Sequence, residues 1–230
     1  MENKNNILDA FMPLLKSALI VYWCELTNLI VIGMAYAGLK NKYALEDFIT
    51  QNQGLFSIIT YLILFLGVWA FDKHKDTFLT AFKEWHLGDI FKYIIYGVGL
   101  YLFSNLLTSL LMLIPSVSNY SEEINSSFTS GEYLINFIVM VILAPIIEEY
   151  LFRNKVQGYL TKAFNVRFGI VLQAILFGMV HALAIQKIYA IVIGIFFGWA
   201  NEKKGNVKPS IIMHMTVNLI GWCIGSFLIG

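Results

Sequence analysis

Charge is scarce in this 230-residue chain. Asp, Glu, Lys and Arg together make up 13%, against 58% hydrophobic and 15% aromatic residues. A soluble domain is about half apolar and a quarter charged, so this composition, with a mean hydropathy of +0.68, excludes one. It reads as a polytopic membrane protein. The net charge of +1 leaves no basic surface for nucleic acid, so the partners that matter are the lipid bilayer and whatever reaches the protein from it. Cysteine is also sparse. Cys24 and Cys223 each lie in an apolar stretch without C-x-x-C spacing, which excludes a disulfide framework or a zinc knuckle. No small-residue cleavage site follows the first apolar run, and "MENKNNILDAF" carries acidic residues, so no removable signal peptide is expected. Tandem repeats, low-complexity tracts and linkers are absent too. A single domain over 1–230 follows, with its motif-bearing core at 132–229.

What is present is a series of apolar windows near the roughly 20 residues a helix needs to cross the hydrocarbon. They fall at 17–39, 54–71, 92–114, 132–152, 167–186, 188–201 and 209–229. The expected fold is all-α: a polytopic transmembrane helical bundle of about seven (six to eight) membrane helices, the fourth extending past Arg153. Between the second and third windows, "DKHKDTFLTAFKEWHLGDIFK" sets Phe78, Leu79, Phe82 and Trp85 at helical spacing against Lys75, Asp76, Lys83 and Glu84. That pattern predicts an interfacial helix. The polar, turn-rich run at 116–132 predicts an aqueous loop. With seven crossings, thirteen Lys and Arg residues fall on the N-terminal side and only Lys40, Lys42 and Lys187 opposite. The excess places the N-terminus in the cytoplasm of a multi-pass cell-membrane protein.

Against that background three segments hold ionisable or polar intruders. "IIEEYLFRN" puts Glu148, Glu149 and Arg153 within six residues; "QAILFGMVHALAI" holds His181; "PSIIMHMTVNLIGW" holds His214 and Asn218 four apart, on one helix face. A charge at bilayer depth costs at least about 2.5–3.5 kcal/mol, so by default it faces the protein interior and has a function. Measured from Lys162, Arg167 and Lys204, residues 148, 181 and 218 each lie 14 positions in (162 − 148, 181 − 167, 218 − 204), and residue 214 lies 10 in. At 1.5 Å per residue this is a common layer about 15–21 Å deep. The glutamates are therefore expected to meet histidines from neighbouring helices. A glutamate beside an imidazole can take a proton from water and return it to a leaving amine. A second His and an Asn amide can stabilise an oxyanion. Arg153, four residues from Glu149, is placed to pair with it and leave Glu148 less neutralised.

The ordered set Glu148-Glu149-x-x-x-Arg153, Phe177-x-x-x-His181 and His214-x-x-x-Asn218 resembles the three motifs of the CAAX protease and bacteriocin-processing family of intramembrane peptidases, the Abi family, which includes type II CAAX endopeptidases. The resemblance covers about 146–218. It implies that Glu148 and His181 activate water, that His214 and Asn218 stabilise the oxyanion, and that Glu149, Arg153 and Phe177 support them. It also implies a peptide or lipidated protein substrate, in a family that cleaves prenylated proteins, processes peptide precursors or confers bacteriocin immunity.

Other readings stay open at this level. Glu148, His181 and His214 supply the donors of a zinc site, but no H-E-x-x-H helix presents two imidazoles at i and i+4. Asn218 is a poor metal ligand. The expectation is therefore no cofactor. A non-catalytic immunity or scaffold protein binding a peptide would keep the same motifs. Buried Glu and His also make proton relays, although no inverted repeat points to a transporter. Glu25 reads as a structural or access-lining residue, His74 and His86 as surface residues, and Phe177 as packing one turn from His181. Pro145 predicts a kink before the glutamates that helps admit water. Gly194, Gly198, Gly221 and Gly225 predict close helix contacts. Lysine outnumbers arginine 14 to 2, which points to an AT-rich bacterial genome and favours peptide processing or self-immunity over prenylated substrates.

Overall fold

The computed structural model describes residues 3–39, 42–72, 78–83, 86–114 and 133–229. Among them there is no strand: the chain is an all-α membrane bundle. Its helices are α1 (Asn3–Leu39), α2 (Lys42–Gln51), α3 (Gln53–Phe71), α4 (Leu87–Leu111), α5 (Tyr133–Ala163), α6 (Val166–Met179), α7 (Ala184–Lys204) and α8 (Lys208–Ile229). Of these, α1, α3, α4, α5 and α7 are long and apolar enough to cross a membrane, and α6 is a shorter apolar helix. The amphipathic α2, which no apolar window announced, links the ends of α1 and α3.

Local chemistry sets the boundaries. Asn165 caps α6 by accepting the Phe168 N–H at 2.9 Å. Gly205, at φ +76°, ends α7 in the left-handed conformation that glycine adopts without a steric cost. α5 is the central helix and contains two widened stretches, Ile138–Leu143 and Glu149–Gln157, on either side of Ala144–Glu148. Such widening recurs at functional sites. Pro145 accounts for the first: the Ala144 N–H reaches five residues back to Val139, and the next carbonyl in that register, Met140, faces a proline with no N–H to give.

One expectation needs correction. The window 167–186 is not one helix: α6 stops at Met179 and α7 starts at Ala184, which places His181 in the turn between them. The cause is a side chain competing with its own backbone. His181 Nδ1–H donates to the Phe177 carbonyl at 2.8 Å, the acceptor its backbone N–H would use in a continuous helix, and that N–H is diverted to Gly178 at 3.2 Å. Of the expected interfacial helix the described part is 78–83: Phe78 and Leu79 are helical and run into a 3₁₀ turn over Thr80–Phe82, with Phe78 and Ala81 buried. Phe78 packs on Tyr150 of α5, with ring centroids 4.8 Å apart, while Lys208 donates to the Lys83 carbonyl at 3.0 Å, tying the turn to the core. His74, Lys75, Asp76, Glu84, Trp85 and the 116–132 loop lie outside the described residues.

Candidate active site

Glu148 and Glu149 follow each other in α5 and so point to different neighbours. Glu149 is completely buried. It pairs with Arg153 at 3.0 Å and accepts a hydrogen bond from His214 Nδ1–H of α8 at 2.9 Å. The Arg153 guanidinium lies over the Phe177 ring, 4.0 Å from its centroid, and faces Phe197 at 5.1 Å. Cation–π contact supplements the ion pair where water is excluded, which matters because Nε and Nη2 have no hydrogen-bond partner among the described residues. A relay from Arg153 through Glu149 to His214 is thereby fixed between α5 and α8.

Glu148 has a different setting. Its side chain keeps 16% of its surface, and Oε1 accepts a hydrogen bond of 2.7 Å from the Tyr61 hydroxyl of α3. Oε2 lies 3.8 Å from His214 Nε2, within ion-pair reach but beyond a hydrogen bond. Glu148 and His181 line one cavity of about 400 Å³, with Tyr61 and residues of α1, α2 and α3. The expectation that the glutamates meet histidines of other helices therefore holds for His214, which faces both. For His181 the contact is the shared cavity, since its Nδ1 is committed to Phe177 and, among the described residues, no hydrogen bond joins it to Glu148. Because a carbonyl can only accept, this bond fixes the proton on Nδ1 and leaves the Nε2 lone pair available.

Phe177 is the packing hub the spacing implied, edge-on to His181 at 4.8 Å and to His214 at 6.1 Å between centroids. Asn218 stands somewhat apart. Its amide donates to the Met140 carbonyl at 2.8 Å, the group that Pro145 leaves without a backbone donor, and it does not line the cavity. Gly194 and Gly198 do mark a close approach, with a polar filling: Gln173 and Gln157 donate to their carbonyls at 3.0 Å each. Glu25 and His86 are exposed. For zinc, the fit is poor. Among the described residues no group of three or more His, Cys, Asp or Glu side chains is arranged to hold a metal ion.

Sequence reasoning missed two participants. Tyr61 lies in a span without a motif, yet Gln53, Ser57 and Tyr61 recur every fourth residue along α3, a polar stripe in an otherwise apolar helix. Asp72, just past α3, accepts from Lys155 at 2.6 Å and from the Tyr150 hydroxyl at 2.8 Å, clamping α3 to α5 one turn from the glutamates.

The comparisons with known proteins bear on this geometry. Residues 130–220 match the family model described as type II CAAX prenyl endopeptidase Rce1-like. The resemblance carried by the three motifs is borne out. All seven motif residues fall inside the matched stretch, and Tyr61 falls outside it. Among curated relatives, UPF0177 protein YxdF of Lactococcus lactis subsp. lactis (strain IL1403) is 26% identical over 170 residues, covering 71% of this chain and 90% of the relative. UPF0177 protein YbdI of the same strain is 24% identical over 171 residues, covering 72% and 90%. No solved structure gives a significant match.

Proposed function

We propose that this protein is a glutamate-dependent intramembrane endopeptidase. The observation that carries the reading is Glu148: a carboxylate oriented by Tyr61 and opening onto a cavity it shares with His181, inside an Rce1-like stretch. A water held between Glu148 and the His181 Nε2 lone pair gives a proton to Glu148 as its oxygen attacks the peptide carbonyl carbon. Glu148 returns that proton to the amine nitrogen as the C–N bond breaks. In its doubly protonated form, with Nδ1–H held by Glu149, His214 turns Nε2–H toward the developing oxyanion, and Asn218, which lies outside the cavity wall, is given the second donor by the motif resemblance alone. No metal enters this scheme. The substrate is a membrane-associated peptide, a peptide precursor or a prenylated C-terminus. Lysine and arginine placement puts the N-terminus in the cytoplasm, and the Lactococcus relatives fit a bacterial cell membrane.

The test is cleavage by the purified protein of quenched-fluorescent peptides, with and without a farnesylated cysteine, before and after a strong chelator. Activity that survives chelation supports the scheme. Activity abolished by the chelator and restored by zinc alone would turn Glu148, His181 and His214 into metal ligands. Peptide binding without cleavage, unaffected by Glu148→Gln, would make the chain a scaffold or immunity protein.

A further inference from the structure

The cavity above Glu148 carries more polar surface than water activation requires. From the first turn of α3, Gln53, Ser57 and Thr60 descend to Tyr61; Asn28 of α1 and Gln186 of α7 face the same space. Ser57 returns its hydroxyl to the Gln53 carbonyl at 2.9 Å, but Asn28, Gln53, Thr60 and Gln186 make no side-chain hydrogen bond among the described residues. Polar groups at bilayer depth mark substrate or ion paths by default. Three of these four are carboxamides from three different helices. A carboxamide offers two donors and an acceptor, the complement of a peptide unit. Besides Glu148 and His181, the cavity is lined by no charged side chain among the described residues, so the rest of its polar surface is neutral.

We propose that this cavity binds the substrate as an extended peptide, inserted end-on from the α2 side, with its backbone read by Asn28, Gln53 and Gln186. This rests on the peptidase reading and names its substrate class. An extended strand has no internal hydrogen bonds, and inside a membrane each of its N–H and C=O groups must find a partner. A helical segment arriving sideways from lipid satisfies its own backbone and leaves the carboxamides without a purpose. The spacing sets the reach. Gln53 and Tyr61 are eight residues apart, about 12 Å along the helix, and an extended chain rises about 3.3 Å per residue. About four substrate residues, uncharged and selected little by side chain, therefore lie between the cavity mouth and the scissile bond.

The experiment uses the full-length protein in nanodiscs and the best-cleaved member of an unlipidated decapeptide set. The double variant Asn28→Leu, Gln53→Leu is expected to raise KM at least tenfold with kcat within a factor of two, and Gln53→Asn, which keeps the carboxamide, to retain the original KM. N-methylation of a substrate amide within four residues of the cleaved bond should mimic the double variant. An unchanged KM in the double variant overturns the proposal. Binding of the same labelled decapeptide to the Glu148→Gln protein, read by fluorescence anisotropy, separates the two claims. Loss of binding on adding the two leucines supports the cavity assignment even where cleavage proves independent of Glu148, and equal binding refutes it even where the peptidase reading stands.

Discussion

Two adjacent carboxylates in α5 live in opposite surroundings. Glu149 is sealed, with none of its side chain exposed, and is held by Arg153 and His214; Glu148 keeps 16% of its surface at a cavity wall, held by one tyrosine. A buried charge with both a cation and a hydrogen-bond donor is stable and unreactive. A carboxylate with one donor and access to water retains lone pairs for chemistry. The difference comes from the neighbours: α8 and Arg153 enclose one residue, while α1 and α3 leave room at the other.

On the open side, the largest loss is expected at His181. Replacement by Asn keeps a donor for the Phe177 carbonyl and removes only the Nε2 base, so the fold is expected to persist while turnover falls about 10²–10⁴-fold. Single-turnover kinetics beside a melting curve check this; a matching loss of thermal stability would make His181 a structural turn residue.

Tyr61→Phe sharpens the same side by removing one hydroxyl. A hydrogen bond to a charged group is worth about 1.5–3 kcal/mol. A fall in kcat of about ten- to a hundredfold is expected, with KM little changed, since the lost contact is to Glu148 and not to substrate. An unaltered kcat would show that Glu148 needs no orientation from α3.

The smallest effect concerns Asn218, and it asks whether that residue serves the sealed side. Asn218→Ala should cost about 0.5–1.5 kcal/mol of stability, because it removes the side-chain donor to the Met140 carbonyl, a hydrogen bond on an exposed part of the helix. Pro145→Ala returns a backbone N–H to that register. The double variant is therefore expected to lose less than the two single losses added together, with a coupling of at least about 0.5 kcal/mol in thermal or denaturant melts. Strict additivity would separate Asn218 from the proline and leave the oxyanion as its only role.

Much of this was legible in the sequence. Apolar windows located most of the spans, including the extension of the fourth beyond Arg153, because long apolar helices leave a strong signal. The Glu149–Arg153 pair followed from i, i+4 spacing, and the motif order led to the family that the comparison supports over 130–220. The break at His181 was hidden, because hydropathy does not register an imidazole taking over its own backbone acceptor. Tyr61 was hidden for a related reason: window averages dilute a polar stripe of one residue in four. Asn218 drew attention as an oxyanion donor, whereas its contact with Met140 depends on a helix-to-helix distance and a proline 73 positions away (218 − 145).

One paired measurement reads the division of labour between the two glutamates most directly: turnover and melting temperature of Glu148→Gln and Glu149→Gln side by side. Glu148→Gln should lose at least about a hundredfold in turnover with its melting temperature unchanged, while Glu149→Gln, which leaves Arg153 an uncompensated buried charge, should lose about 3–5 kcal/mol of stability. Retention of more than a tenth of wild-type turnover by Glu148→Gln, or a stable Glu149→Gln protein that is inactive, would contradict it.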